Sequence, residues 1–341
     1  DIIEYLVTST NLSIYYSAAT FFYGDVKLYK DTPETVITPS SLKEYAPRMD
    51  GTFGVRLTLG AADENVIGYE AEATIGGRAL TAAYDKASNS ILLSGILSTE
   101  MMQPLTYRVY AVSEHTGTDN VTVKHYHLTA EKETTYAELI VPYLTSEDEN
   151  VRNIAVAILN YGAAAQNRFL EEPGELPTTL LNGATLTFDT PTAEDNYAQA
   201  DREGKAYAFS GATLLLQDRI RLKLWIDLQS GADMLDGDLY LEYGTDAGFA
   251  GSEKALLLQR GNEGDEKSNA CLKATLDILP TAFTATMYFR VVTADGTVVS
   301  STLTYSVSSY AARSEENADL IKAIMDLGEA VTKYNSAAKG E

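Results

Sequence analysis

A single cysteine, Cys271, in 341 residues excludes any internal disulfide. No apolar run approaches the roughly 20 residues that carry a helix across a bilayer, so a soluble chain without direct membrane insertion is expected. Basic residues are also scarce. Lys and Arg number 26 against 48 Asp and Glu, and the net charge of −22 repels phosphate backbones and anionic lipid, so nucleic acid is not an expected partner. Catalytic signatures are missing as well: there is no GxSxG elbow, HExxH helix, Walker loop or GxGxxG turn. The 48 acids could supply the carboxylate pair of a glycosidase, yet nothing singles out two of them. No catalytic residue is therefore assigned, and a non-enzymatic role is expected. Asp1 opens the chain without a basic, apolar targeting segment, so any signal peptide is expected to have been processed off or to lie outside this sequence. Cysteine scarcity points the same way, toward an exported protein. Cys271 itself, in the apolar alternation ACLKATLDIL, is expected to be a buried thiol.

What is present is a repeated design. In NVRNIAVAILNYGAAAQNRF, Val151, Ile154, Ile158, Tyr161, Gly162, Ala165 and Phe169 recur at steps of three and four and form one apolar helical stripe. Ser146 with Glu149 matches a capping box, placing this helix at 146–170. Near the C-terminus, Leu320, Ile324, Leu327, Gly328, Val331 and Tyr334 repeat the stripe in a helix expected at 314–337. Gly162 and Gly328 would let each helix approach a partner surface closely.

Strand periodicity is duplicated too. GVRLTLG at 54–60 is echoed by RIRLKLW at 219–225, and GILSTEMMQPLTYRVYA at 95–111 by DILPTAFTATMYFRVVT at 277–293. Further strands are expected in VIGYEAEATIG, SILLSGIL and NVTVKHYHL, with SEHTGTDN as a hairpin connection. TTYAELIVPYL is expected to be helical up to Pro142, and EEPGELPTTLLNG reads as a linker. The expected fold is mainly β (α+β): two tandem antiparallel β-sandwich modules, 1–172 and 173–341, each closed by a C-terminal helix. Each half carries a net charge of −11, from 23 acids and 12 bases in the first and 25 acids and 14 bases in the second.

TYSVSSYAA at 304–312 and AILNYGAAAQNRF at 157–169 resemble the paired signatures YSVxDYA and ALLNYGAAAQxYF of large secreted or cell-wall proteins of anaerobic gut Clostridia. Ser309 stands where that signature has Asp, and Leu327-Gly328-Glu329 where it has Tyr-Gly-Ala. The resemblance implies an exported, surface-associated, mainly β module with non-catalytic attachment or ligand binding as its role, and the chain is separately expected to be a monomer within a larger multidomain protein.

The only tryptophan carries the leading site expectation. In RIRLKLWIDL, Ile220, Leu222, Leu224, Ile226 and Leu228 form the buried row, which leaves Arg221, Lys223, Trp225 and Asp227 on the opposite face. By the same parity Tyr240 faces away from Leu239 and Leu241, and Tyr288 and Arg290 away from Met287, Phe289 and Val291. Aromatic rings beside Arg and Asp stack on a pyranose and bond its hydroxyls, so a polysaccharide is the expected ligand, held by Trp225, Arg221, Asp227, Tyr240, Tyr288 and Arg290. A second patch, Tyr15, Tyr16, Phe22 and Tyr23, is the alternative, for a host protein such as immunoglobulin or mucin; a structural spacer is a third reading.

No cofactor and no metal site are assigned. His125 and His127 share a strand face, taken as polar by aligning Tyr126 with Tyr305 and the histidines with Thr304 and Ser306. Asp233, Asp236, Asp238 and the acidic loop 261–267 offer oxygen ligands for calcium, without EF-hand spacing.

Overall fold

The computed structural model describes residues 41–116, 122–216, 219–259 and 269–339. Tyr15, Tyr16, Phe22 and Tyr23 lie outside these residues, as do the loop 261–267 and the tip of the SEHTGTDN connection.

Alternating residues build the first set of sheets. In Gly54–Leu59 (β2), Val55, Leu57 and Leu59 are buried while Arg56 is exposed, as expected of a strand with one wet face. Around it lie Leu42–Pro47 (β1), Thr81–Asp85 (β5) and Ser90–Ser94 (β6), in the order β1-β2-β6-β5. The facing sheet combines Val66–Ile75 (β3), Arg78–Ala79 (β4), Pro104–Thr116 (β7) and Thr122–Thr135 (β8), ordered β4-β3-β7-β8.

The second set uses Ala198–Gln199 (β9), Tyr207–Leu216 (β10), Ile220–Leu228 (β11), Leu239–Gly244 (β12), Glu253–Leu256 (β13), Leu258–Gln259 (β14), Cys271–Asp277 (β15), Met287–Thr293 (β16) and Leu303–Tyr305 (β17). Its sheets run β10-β11-β15-β14 and β13-β12-β16-β17-β9. Apart from the added β9, this repeats the first strand order position by position, so the echo in sequence is also an echo in topology. All named strand pairs are antiparallel, and the chain is mainly β.

Among the described residues there are four α-helices: Tyr136–Ile140 (α1), Glu149–Phe169 (α2), Val307–Arg313 (α3) and Ala318–Lys339 (α4). The two long helices pack on each other; α2 also packs on the 3-10 turns Ser98–Glu100, Val141–Thr145 and Pro177–Leu181, and α4 on the turn Pro280–Ala282. Their glycines explain how closely. A Cβ on Gly162 would stand 2.4 Å from Met101 Sδ, and one on Gly328 would stand 2.6 Å from Phe283 Cβ, where real side-chain carbons do not fit. Helix α2 starts later than the Ser146 capping box predicts. Asp148 is its cap, accepting from the amides of Asn150 and Val151, while the Ser146 hydroxyl accepts from Asp148 N–H. In α3, Ser306 and Ser309 cap each other reciprocally, so Ser309 supplies the acceptor oxygen that an Asp would at that position.

Two further sequence expectations are corrected. Cys271 is exposed, because Leu272, Ala274 and Leu276 form the inward row of β15. His125 and His127 point inward, opposite the buried Ser113 and Ala111, and it is Tyr126 that is exposed. A bulge between Val109 and Tyr110 shifts the β7/β8 register and reverses which residues of β8 face the core. The alignment behind the polar-face expectation also fails: Tyr305 pairs with Met287 as Thr134 pairs with Leu105, so Thr134, rather than Tyr126, is its counterpart.

Candidate functional site

Strand β11 alternates as the sequence predicts: Ile220, Leu222, Leu224 and Ile226 are buried, and Arg221, Lys223, Trp225 and Asp227 are half-buried on the outward face. Register across the sheet gives each outward residue its neighbours. Trp225 sits between Gly211 of β10 and Lys273 of β15, and Lys273 pairs in turn with the exposed Leu258 of β14. The neighbouring rung holds Thr213, Lys223 and Thr275, and the next holds Leu215, Arg221 and Asp277.

Gly211 follows a bulge, and its missing side chain makes room for the indole: an added Cβ would stand 2.9 Å from Trp225 Cε3. The Lys223 ammonium lies 5.0 Å from the indole centroid, a cation–π contact. The half-burial of Trp225 follows from this packing. One side of the ring leans over bare backbone, so the ring is held in place and its remaining surface faces outward with the basic side chains.

Charge on this face runs against the composition of the chain. Among the described residues, Lys223 and Lys273 neighbour Trp225, Arg221 lies further along β11 and Arg219 just before it, with only Asp227 and Asp277 as acids on the same strands. Arg219 Nη1 lies 3.5 Å from Asp277 Oδ2. Beyond Arg221 the face opens into a hollow of about 450 Å³ lined by Arg78, Leu97, Arg219, Arg221 and Asp277.

The structure divides the six expected site residues. Trp225, Arg221 and Asp227 are on β11, whereas Tyr240, Tyr288 and Arg290 are on β12 and β16 of the facing sheet. The inward rows of both sheets share one core, so their outward faces point away from each other and no single ligand ring touches both groups.

Arg290 is engaged within the protein. Its Nε donates to Glu242 Oε2 at 2.6 Å, and its guanidinium stacks 3.9 Å from the Phe249 centroid. Ser252 Oγ donates to Glu242 Oε1 at 2.8 Å. Burial pushes the Glu242 carboxyl up, but the hydrogen bonds from Arg290 and Ser252 outweigh it and hold the group below its ordinary value. Phe249 sits in the left-handed region at φ 62, in the β12–β13 loop, where the first set of sheets has only a tight turn at Gly76-Gly77. This cluster fastens a loop to a sheet.

Sequence reasoning missed Lys273 and Leu258, which reach Trp225 only through strand pairing, and Gly211, whose neighbour is non-local. It also missed an apolar patch on the first set of sheets: Ile67, Tyr126 and Leu128 are exposed, and Tyr126 meets Tyr110 edge-on at 6.4 Å. Asp233, Asp236 and Asp238 are exposed, and among the described residues no three His, Cys, Asp or Glu side chains gather as a metal site. Comparison with protein-family models and with curated proteins returned no match to this chain.

Proposed function

We propose that the chain is a non-catalytic, extracellular binding protein whose ligand is a polysaccharide, gripped on the outward face of the β10-β11-β15-β14 sheet. One observation carries the reading: Trp225 is held over Gly211 in a row with Arg221, Lys223 and Asp227, beside Lys273 and Leu258. A fixed indole flanked by apolar and hydrogen-bonding side chains offers a sugar ring a stacking surface and partners for its hydroxyls. From Trp225 to Arg221 is four residues of extended strand, about 13 Å, so the row suits a chain of sugars better than a single one. Tyr240, Tyr288 and Arg290 fall out of this site, because they belong to the opposite face.

The test is affinity electrophoresis through gels containing a panel of plant and bacterial polysaccharides. Wild-type protein is retarded by at least one polymer, and Trp225→Ala abolishes the retardation while Tyr288→Ala does not. Full retention of Trp225→Ala would remove the proposal.

A second reading, attachment to a host protein, is favoured by the exposed Ile67, Tyr126 and Leu128, since clustered aromatic and aliphatic side chains are what protein hot spots use. It predicts binding to a secreted host glycoprotein that survives glycosidase treatment and is lost in Tyr126→Ala.

A further inference from the structure

We propose that the polymer is an acidic one, and that its carboxylates are received in the hollow at the Arg221 end of the Trp225 row. This rests on the polysaccharide reading and specifies its substrate class.

The hollow lies where the two sets of sheets meet. Arg78 and Leu97 come from the first, and Arg219, Arg221 and Asp277 from the second. It adjoins a second cleft of about 220 Å³ that shares Arg219 and Asp277 and is walled by Arg48, Phe53, Tyr161, Ile278 and Leu279. The charged residues lining the two together are four arginines and one aspartate. With Asp50 and Glu100, which pair with Arg48 and Arg78, the cluster holds four cations against three anions, a slight excess of positive charge in a chain with 48 acids and 26 bases.

The chemistry of the side chains narrows the ligand. All four cations are arginine, whose planar fork matches a carboxylate with two parallel hydrogen bonds, which an ammonium cannot do. Internal partners orient these forks. Arg78 donates to Glu100 and, at 2.7 Å, to Gly95 O, and Arg48 pairs with Asp50. A guanidinium carries five N–H donors; Arg78, with Nε and Nη2 given to Glu100 and Gly95 O, offers a ligand single bonds from Nη1 rather than a fork. The apolar wall supplies a surface for the ring that bears the carboxylate.

The internal repeat supplies a built-in comparison. Arg219 stands where the first copy has Gly54, and Asp277 where it has Gly95, so this charge pattern exists in one copy only. The net charge of −22 opposes any anion at long range. At physiological salt that field is screened beyond about 8 Å, leaving contact with the arginines to decide. Rigid duplex phosphates, which need a broad basic surface, are disfavoured by the same balance.

The experiment uses sodium polygalacturonate, its fully methyl-esterified form and a neutral glucan in affinity electrophoresis, at 50 and 300 mM NaCl. Wild-type protein binds the acid polymer about tenfold more tightly than the ester, as expected for one or two charge-assisted bonds, and loses that preference at 300 mM NaCl. Arg219→Gln with Arg221→Gln equalises the two polymers, and Trp225→Ala weakens both. Equal wild-type affinity for acid and ester, an unchanged preference in the double variant, or equal retardation by duplex DNA would overturn the inference. If the double variant fails to fold, the salt series on wild-type protein decides: a preference that survives 300 mM NaCl overturns it. A neutral glucan bound through Trp225 with neither galacturonan bound would overturn the acidic-polymer inference and leave the broader reading standing.

Discussion

Replacing Gly328 by alanine sets two effects of opposite sign against each other. On an isolated helix the change is favourable by about 1 kcal/mol, because glycine loses more backbone freedom on folding. Here the new Cβ would sit 2.6 Å from Phe283 Cβ and 3.3 Å from Thr284 Cγ2. Phe283 is 2% exposed and follows the 3-10 turn Pro280–Ala282, so its Cβ cannot rotate aside and the helix must move. Overpacking of this kind costs about 1–3 kcal/mol, and a contact between two atoms next to backbone belongs at the upper end. The net loss is then about 2 kcal/mol, or roughly 4–8 °C in melting temperature at about 2–4 °C per kcal/mol. Gly162→Ala meets Met101 Sδ, on a flexible side chain that can swing away, so its loss is smaller. Gly174→Ala, with nothing within 4 Å of the added carbon, is neutral. Thermal melts by circular dichroism should rank Gly328→Ala below Gly162→Ala below Gly174→Ala. A Gly328→Ala variant that melts at or above wild type would refute close approach as the reason for the glycine.

Two other predictions address features that the sequence misplaced or could not reveal. Asp148→Ala removes the acceptor for two orphan amides of α2 and should cost about 1 kcal/mol, visible as a shifted urea midpoint, whereas Ser146→Ala should cost less. The Glu242 carboxyl titrates below its ordinary value in the folded chain, so its pairing with Arg290 stabilises fully above the unfolded value of about 4.3 and is lost as pH falls through the folded value. The melting temperature of wild type should therefore fall more steeply below pH 4.5 than that of Glu242→Gln, and parallel curves would contradict the pairing.

Parity within a strand was legible in the sequence, and partnership between strands was not. Leu222, Leu224 and Ile226 announced the inward row of β11, which placed Trp225 outward correctly. The same rule put Tyr240, Tyr288 and Arg290 outward, but outward on which sheet depends on strand order, and that is set by non-local pairing. Cys271 was misread because it neighbours an apolar row without belonging to it. The histidines were misread because one extra residue, Thr129 at the β7/β8 bulge, puts the two parts of β8 out of phase. The helices were found from their apolar stripes, while the start of α2 shifted because Asp148 competes with Ser146 for the cap. Gly211 carried no local sign of its task, since its reason is a ring on another strand.

Trp225 is the only tryptophan of the chain, so its emission reports on the proposed face without any label. Titrating wild-type protein with the polysaccharide that retards it in the gel should change the intensity and blue-shift the emission maximum, with half of the full change at the concentration that half-retards the protein. Binding at that concentration with an unchanged emission spectrum would place the ligand elsewhere and contradict the account.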